Sequence, residues 1–178
     1  MESGVRSALA EAWRALEGAE WERARTAFTG VLELEECGEA LDGGGLAAWF
    51  LDDIEEGLAL RERAVALYAR EGDCGRAARV ALWISHQYLI AGRASAANGW
   101  LARAERSLAQ APLCAGHGWL AVERARRAAS VGGRSDKHDA PYSRRRSSQP
   151  SPLQLGHEYW RPSRQRGSGE PRPSGGRW

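Results

Sequence analysis

The apolar residues of the first 130 positions recur with the period of an α-helix. Leu9, Ala12, Trp13 and Leu16 follow the i, i+3, i+4, i+7 spacing of an amphipathic helix. No segment shows the β-branched, period-two alternation of a strand. The sequence therefore predicts an all-α fold of about seven helices, at about 5–17, 20–35, 39–51, 53–70, 75–91, 94–109 and 117–130.

The residues between these helices have the chemistry of helix ends. Asp52 or Asp53 can cap the helix that follows, and Ser95 can cap a later one. Glycine is favoured at the C′ position, where the backbone is left-handed. The glycines predicted at such positions are Gly18, Gly72 and Gly92.

Small residues recur at matching places in three successive helix pairs. Aligning Ala24, Gly57 and Ala97 gives spacings of 33 and 40 residues. The positions twelve residues before and seven residues after these are also small or medium-sized: Ala12, Gly45, Ser85, Val31, Ala64 and Ala104. Small side chains let two helix backbones approach closely, so the pattern predicts a solenoid of antiparallel helix pairs.

This pattern resembles the tetratricopeptide repeat, a helix-turn-helix unit of 34 residues with small residues at its eighth and twentieth positions. Arg61 departs from it, because it stands where a large apolar residue is usual. The residues that match the repeat best are Ser85, Tyr88, Ala97, Leu101 and Ala104.

Longer segments of the sequence resemble one group of transcriptional regulators. The segments 19–25, 76–83, 97–104 and 117–120 are similar to the helical-repeat half of certain LuxR-type bacterial transcriptional regulators. In that family a C-terminal helix-turn-helix domain binds DNA, but no such segment follows Arg126. The resemblance therefore implies a sensing or interaction arm, truncated before its DNA-binding domain, and specific DNA binding is not expected of this chain.

The resemblance also implies a partner-binding groove, lined by the first helix of each pair. Its two rows are Trp13, Leu46 and His86, and Leu16, Trp49 and Leu89. The expected partner is a protein or peptide, whose identity the sequence does not give. In the alternative interpretation the tryptophans fill the core between pairs, because aromatic residues at helical spacing usually bury themselves; these are Trp13, Trp49, Trp83 and Trp100.

The last predicted helix lacks a second helix to complete its pair. Trp119, Leu120 and Val122 form its apolar side, and they are the candidate open-end interface. An uncovered apolar patch usually marks an interface. We therefore expect residues 1–131 alone to self-associate or to require a partner.

The composition changes sharply near residue 131. Residues 1–130 contain 15 Arg and 19 Asp and Glu, whereas residues 131–178 contain 10 Lys and Arg, 4 Asp and Glu and six of the seven prolines. A segment so poor in aliphatic residues cannot bury enough surface to offset chain entropy. The prediction is a helical-repeat domain at 1–131 and a disordered tail at 132–178.

Three interpretations of the tail remain open. Arg144, Arg145 and Arg146, with Tyr159 and Trp160, could make a weak nucleic-acid contact through phosphate neutralisation and base stacking. The tail could instead be unselected sequence from GC-rich DNA in a shifted frame, or an ordinary linker. The first interpretation supports an alternative function, a free-standing helical-repeat adaptor whose basic tail contacts nucleic acid or an acidic partner.

No motif of catalysis, cofactor binding or metal binding is found, so no enzyme activity, cofactor or metal is predicted. Cys37, Cys74 and Cys114 lack CxxC pairing and are expected to be reduced thiols, too far apart to bridge. The run 43–45 of three glycines lacks the Lys-Ser/Thr of a phosphate loop and is expected to mark close helix packing. Without a targeting segment or a long apolar run, the expected location is cytoplasmic, with no membrane partner.

Overall fold

The computed structural model describes residues 2–132, and it describes side chains for residues 3–129. This part of the chain contains no strand, so the all-α prediction is confirmed. Of the predicted tail at 132–178, all residues after Gly132 lie outside the described residues, including Arg144, Arg145 and Arg146. The helices are α1 (Glu2–Glu17), α2 (Trp21–Leu34), α3 (Gly38–Phe50), α4 (Ile54–Arg70), α5 (Cys74–Ile90), α6 (Ala94–Ala109) and α7 (Ala115–Gly132).

Each helix packs against the next one along the chain. In addition, α1 contacts α3, and α7 contacts α5 as well as α6. This pattern of contacts between helices is consistent with the predicted solenoid of helix pairs. None of the helices α1 to α7 combines the length and the hydrophobicity that a membrane-spanning segment requires.

The small and medium-sized residues that defined the repeat register are all buried. At the α3–α4 crossing, a Cβ added at Gly45 would lie 2.8 Å from the Gly57 carbonyl oxygen, and one added at Gly57 would lie 2.9 Å from the Gly45 carbonyl oxygen. In the third pair the Ser85 hydroxyl donates a hydrogen bond of 2.7 Å to the Ala97 carbonyl. These contacts are consistent with the predicted register in the second and third pairs.

The glycine run 43–45 also packs closely, as predicted. A Cβ at Gly43 would overlap the ring of Phe28, a fully buried residue of α2. At Gly44, however, the nearest atoms would be in ordinary contact, at 3.5 Å and 3.7 Å. Two of the three glycines are thus required by packing, one against α2 and one against α4.

Four of the interhelical turns share one backbone conformation. In each turn a residue with positive φ precedes the N-cap of the next helix; these residues are Ala19 (58°), Asp52 (66°), Gly72 (77°) and Gly92 (75°). The predictions for Gly72 and Gly92 are confirmed. The prediction for Gly18 is wrong, because the left-handed residue of that turn is Ala19, one position later.

The caps that follow these turns were predicted only in part. Asp53 caps α4 by accepting a hydrogen bond from the Glu56 amide at 3.3 Å, as expected. Asp73, which was not predicted, caps α5 in the same way through the Arg76 amide at 2.9 Å. The prediction for Ser95 is wrong, because α6 begins at Ala94 and its N-cap residue is Arg93, which makes no side-chain cap bond.

Candidate interaction surfaces of the helical array

The predicted groove positions lie on α1, α3 and α5, the first helices of the three pairs. Leu16 and Leu46 are buried and therefore offer little surface to a partner. The other four residues are half-buried: Trp13, Trp49, His86 and Leu89. The surface that these rows can present therefore comes from two indoles, one imidazole and one leucine.

Polar and aromatic contacts hold the Trp13 indole in place. Its Nε1 donates a hydrogen bond of 2.9 Å to Glu39 Oε1, and its ring meets Phe28 edge-to-face at 5.0 Å between centroids. The other oxygen of Glu39 lies 3.7 Å from an Arg76 guanidinium nitrogen. These side-chain contacts thus connect α1 to α3 and α3 to α5.

Trp49 makes a second link between α3 and α5. Its Nε1 donates a hydrogen bond of 3.2 Å to Gln87 Oε1, and its ring lies edge-on to Trp83 at 5.8 Å between centroids. Phe50, next to Trp49, stacks on Trp21 of α2 at 4.1 Å. Trp83 is buried and fills the core, whereas Trp13, Trp49 and Trp100 are only half-buried.

Beneath this surface lies a buried charge cluster that the sequence did not predict. Asp42 of α3 is 1% exposed, and Arg61 of α4 is 3% exposed. Their side chains form an ion pair of 2.8 Å, and Asp42 also accepts a hydrogen bond of 3.0 Å from Arg79 of α5. The cluster therefore fastens three consecutive helices to each other.

Burial changes the protonation equilibria of this cluster. The Arg61 guanidinium lies 3.9 Å from the centre of the Trp83 ring. Desolvation lowers the pKa of Arg61 to about 10, although the attraction of Asp42 acts in the opposite direction. Burial, aided by the charge of Asp42, also raises the pKa of the nearby Tyr68 hydroxyl. At neutral pH Arg61 stays charged and Tyr68 neutral.

A second buried polar cluster attaches α7 to α5 and α6. Glu123 of α7 is fully buried, and Arg127 Nε donates to its carboxylate at 3.2 Å. The same Arg127 donates to Ser85 Oγ of α5 at 2.7 Å and to Asn98 Oδ1 of α6 at 2.6 Å. We call these residues, together with His86, the α7 polar cluster.

His86 belongs both to the predicted groove and to the α7 polar cluster. Its Nδ1 lies 3.7 Å from Glu123 Oε2. Burial lowers the pKa of His86; the Glu123 carboxylate opposes that effect, and Arg126 and Arg127 add to it. A neutral imidazole is therefore favoured at this point of the fold.

The candidate open-end residues do not share one face of α7. Leu120 is buried, Trp119 is half-buried and Val122 is 41% exposed. Gly116, Leu120 and Glu123 are buried and lie on one side of α7. This side of the helix therefore faces the preceding helices. Of the three predicted residues, Val122 is the one that is exposed.

Cys37, Cys74 and Cys114 are all free thiols. The Cys114 sulfur lies 3.6 Å from His117 Nδ1, which also accepts a hydrogen bond of 3.3 Å from the Cys114 amide. Burial raises the pKa of the Cys37 thiol. Among residues 2–132, no group of three or more His, Cys, Asp or Glu side chains is placed to hold a metal ion.

Comparisons of the chain with known protein families, with curated proteins and with solved structures found no match.

Proposed function

We propose that the helical array is a non-catalytic protein-interaction module, which binds a peptide or protein segment along the surface formed by α1, α3 and α5. The observation that supports this most directly is the pattern of exposure along those helices. Ala12 and Ser85 are fully buried, whereas the residues that follow them, Trp13 and His86, are half-buried. In α1 and α5 a half-buried large side chain thus follows a buried small one, whereas in α3 the accessible large side chain is Trp49, because Leu46 is buried.

Pre-organisation of these side chains favours binding. The indoles of Trp13 and Trp49 are each held by a hydrogen bond and by an edge-on ring contact. A side chain that is already fixed loses little conformational entropy when a partner covers it. Tryptophan is also one of the residue types that contribute most to protein interfaces.

The polar groups beside the two indoles indicate what such a partner must contain. Glu39 and Arg76 lie next to Trp13, and the amide of Gln87 lies next to Trp49. A segment with apolar side chains between polar groups able to pair with both charges would satisfy this surface. We further propose that the module is the sensing or interaction arm of a LuxR-type regulator, which the sequence phrases alone support.

Selection from a displayed peptide library, with the full chain as bait, tests the proposal. We expect Leu89→Gln to lower the affinity for the selected peptides by about tenfold, because the substitution removes an apolar contact from the proposed binding surface. The matched control is Ile90→Gln, since Ile90 is 51% exposed and follows Leu89 on another side of α5. Failure to enrich any peptide, or equal binding to both variants, would contradict the proposal. Circular dichroism establishes that both variants fold.

A further inference from the structure

The buried charge cluster of α3, α4 and α5 has more positive than negative groups. One oxygen of the Asp42 carboxylate lies 2.8 Å from Arg61 Nη2, and the other lies 3.0 Å from Arg79 Nη2. In the described part of the chain, neither arginine forms an ion pair with any other carboxylate. The two guanidinium groups therefore share one carboxylate, and the cluster has an excess of positive charge.

The two arginines of the cluster differ in exposure. The Arg61 side chain is 4% exposed, and its Nε and Nη1 have no hydrogen-bond partner among the described residues. Desolvation is the main cause that lowers the pKa of Arg61 to about 10, and the charge of Arg79 adds to this effect. The Arg79 side chain is 21% exposed. A partner can therefore reach the excess positive charge at Arg79.

Arg79 lies on the same surface as the proposed peptide groove. It precedes His86 by seven residues in α5, and residues at this spacing share one side of a helix. Its partner Asp42 follows Glu39 by three residues in α3, which is about one helical turn. Glu39 accepts the hydrogen bond of the Trp13 indole. The Arg79 guanidinium and the Trp13 indole therefore lie about one helical turn apart along α3.

The charge of this surface changes sign along α3. The Glu39 carboxylate lies 3.7 Å from an Arg76 nitrogen, and the same guanidinium lies 3.4 Å from Asp73. Two carboxylates share one guanidinium there, so the end of the surface beside Trp13 has an excess of negative charge. A carboxylate of a bound peptide is repelled at that end and attracted at Arg79.

We propose that Arg79 binds an aspartate or glutamate side chain of the partner peptide, next to an apolar side chain that contacts Trp13. The inference rests on the proposed function, and it names the chemistry of the segment that binds. Arg79 uses Nη2 for Asp42, and a guanidinium has further N–H donors that match a carboxylate. Because the Arg79 side chain is mostly removed from water, the new pair should be stronger than a pair of fully exposed charges.

Parallel selections from one displayed library test the proposal. The library presents short random peptides as internal loops, so that no chain terminus supplies a carboxylate. The bait is the full chain, either as the wild type or as Arg79→Gln, which leaves Asp42 paired with Arg61. We expect the wild type to enrich peptides with Asp or Glu close to an apolar residue, and Arg79→Gln to lose that enrichment. Circular dichroism checks that the variant keeps its helices.

The matched control is Arg63→Gln, which removes the same charge from an exposed position of α4. Arg63 pairs with Glu36 at 2.6 Å, and both side chains are more than half exposed, so the loss of this pair should change stability little. Arg63→Gln should enrich the same acidic peptides as the wild type. It therefore separates a specific contact at Arg79 from a general effect of net charge.

A thermodynamic cycle measures the proposed pair itself. A peptide selected by the wild type is synthesised with blocked ends, together with a version that has Asn for each Asp and Gln for each Glu. In fluorescence anisotropy, the wild type should bind the acidic version about tenfold more tightly than the amide version, whereas Arg79→Gln should bind both equally. Arg79→Lys keeps the charge and should retain part of the preference.

Equal binding of the two versions to the wild type would overturn the inference without the use of any variant. A preference for the acidic version that persists in Arg79→Gln, or that Arg63→Gln also abolishes, would overturn it as well. Selected peptides that lack acidic residues but respond to Leu89→Gln would reject this inference and leave the proposed function standing. Failure to enrich any peptide would reject both.

Discussion

The α3–α4 pair and the α5–α7 junction hold neighbouring helices together by different means. In the first, Gly45 and Gly57 bring two backbones into contact, and one ion pair, Asp42 with Arg61, is enclosed in the core. In the second, Arg127 reaches from α7 to polar groups on α5 and α6. Removing the carboxylate should therefore cost more in the first region, because the Arg61 side chain is 4% exposed and loses its carboxylate, whereas the Arg127 side chain is 17% exposed and keeps its bonds to Ser85 and Asn98.

The largest effect is expected for Asp42→Ala. The substitution leaves Arg61 charged and enclosed without its carboxylate, which should lower the free energy of unfolding by about 3–5 kcal/mol. Glu123→Ala is the matched comparison, because Arg127 keeps its bonds to Ser85 and Asn98, and a loss of about 1–2 kcal/mol is expected. Urea denaturation followed by circular dichroism measures both. Equal losses would show that the two clusters do not differ in the way described.

A smaller effect is expected for Gly45→Ala. The new Cβ would lie 2.8 Å from the Gly57 carbonyl oxygen, so α3 and α4 must separate, at a cost of about 1–3 kcal/mol. At Gly44 a Cβ would be in ordinary contact, and Gly44→Ala should be neutral or stabilise the protein by up to about 1 kcal/mol through helix propensity. Thermal unfolding of the two variants measures the difference. If Gly44→Ala destabilises as much as Gly45→Ala, the close approach is not specific to Gly45.

The smallest effect concerns pH and the α7 polar cluster. Because the fold lowers the pKa of His86 below its ordinary value of 6.5, the unfolded chain binds this proton more readily than the folded protein. Stability should therefore fall as the pH drops below about 6.5, until the folded protein also binds the proton. His86→Gln should flatten that part of a plot of Tm against pH.

The control for this effect is His117→Gln, which changes the other histidine of the described chain and should retain the slope. An unchanged slope in His86→Gln would instead assign the acid sensitivity to carboxylates. A flattened slope would place the acid sensitivity in the α7 polar cluster and not at Arg61, which, with a pKa of about 10, stays charged throughout this range.

By itself, the sequence determined the helices and the burial of the small residues that recur along them. Helical periodicity and size depend on neighbours within one or two turns, so Ala12 and Ser85 could be placed on the inner side of their helices from spacing alone. The sequence also predicted two of the turns, because Gly72 and Gly92 readily adopt a positive φ. Ala19 and Asp52 lack the preference of glycine, and it is the shared turn geometry that places them in this conformation.

Only the tertiary structure decided which charged residues are buried. Arg61 was noticed in the sequence as a departure from the repeat, but its partner Asp42 belongs to the preceding helix, and Arg79 to the following one. Glu123 likewise lies 3.7 Å from His86, across 37 positions of the chain. Local spacing holds no information on such distances. The free energy of a buried charge depends on whether an opposite charge arrives within a few ångströms, and the packing of distant helices determines that.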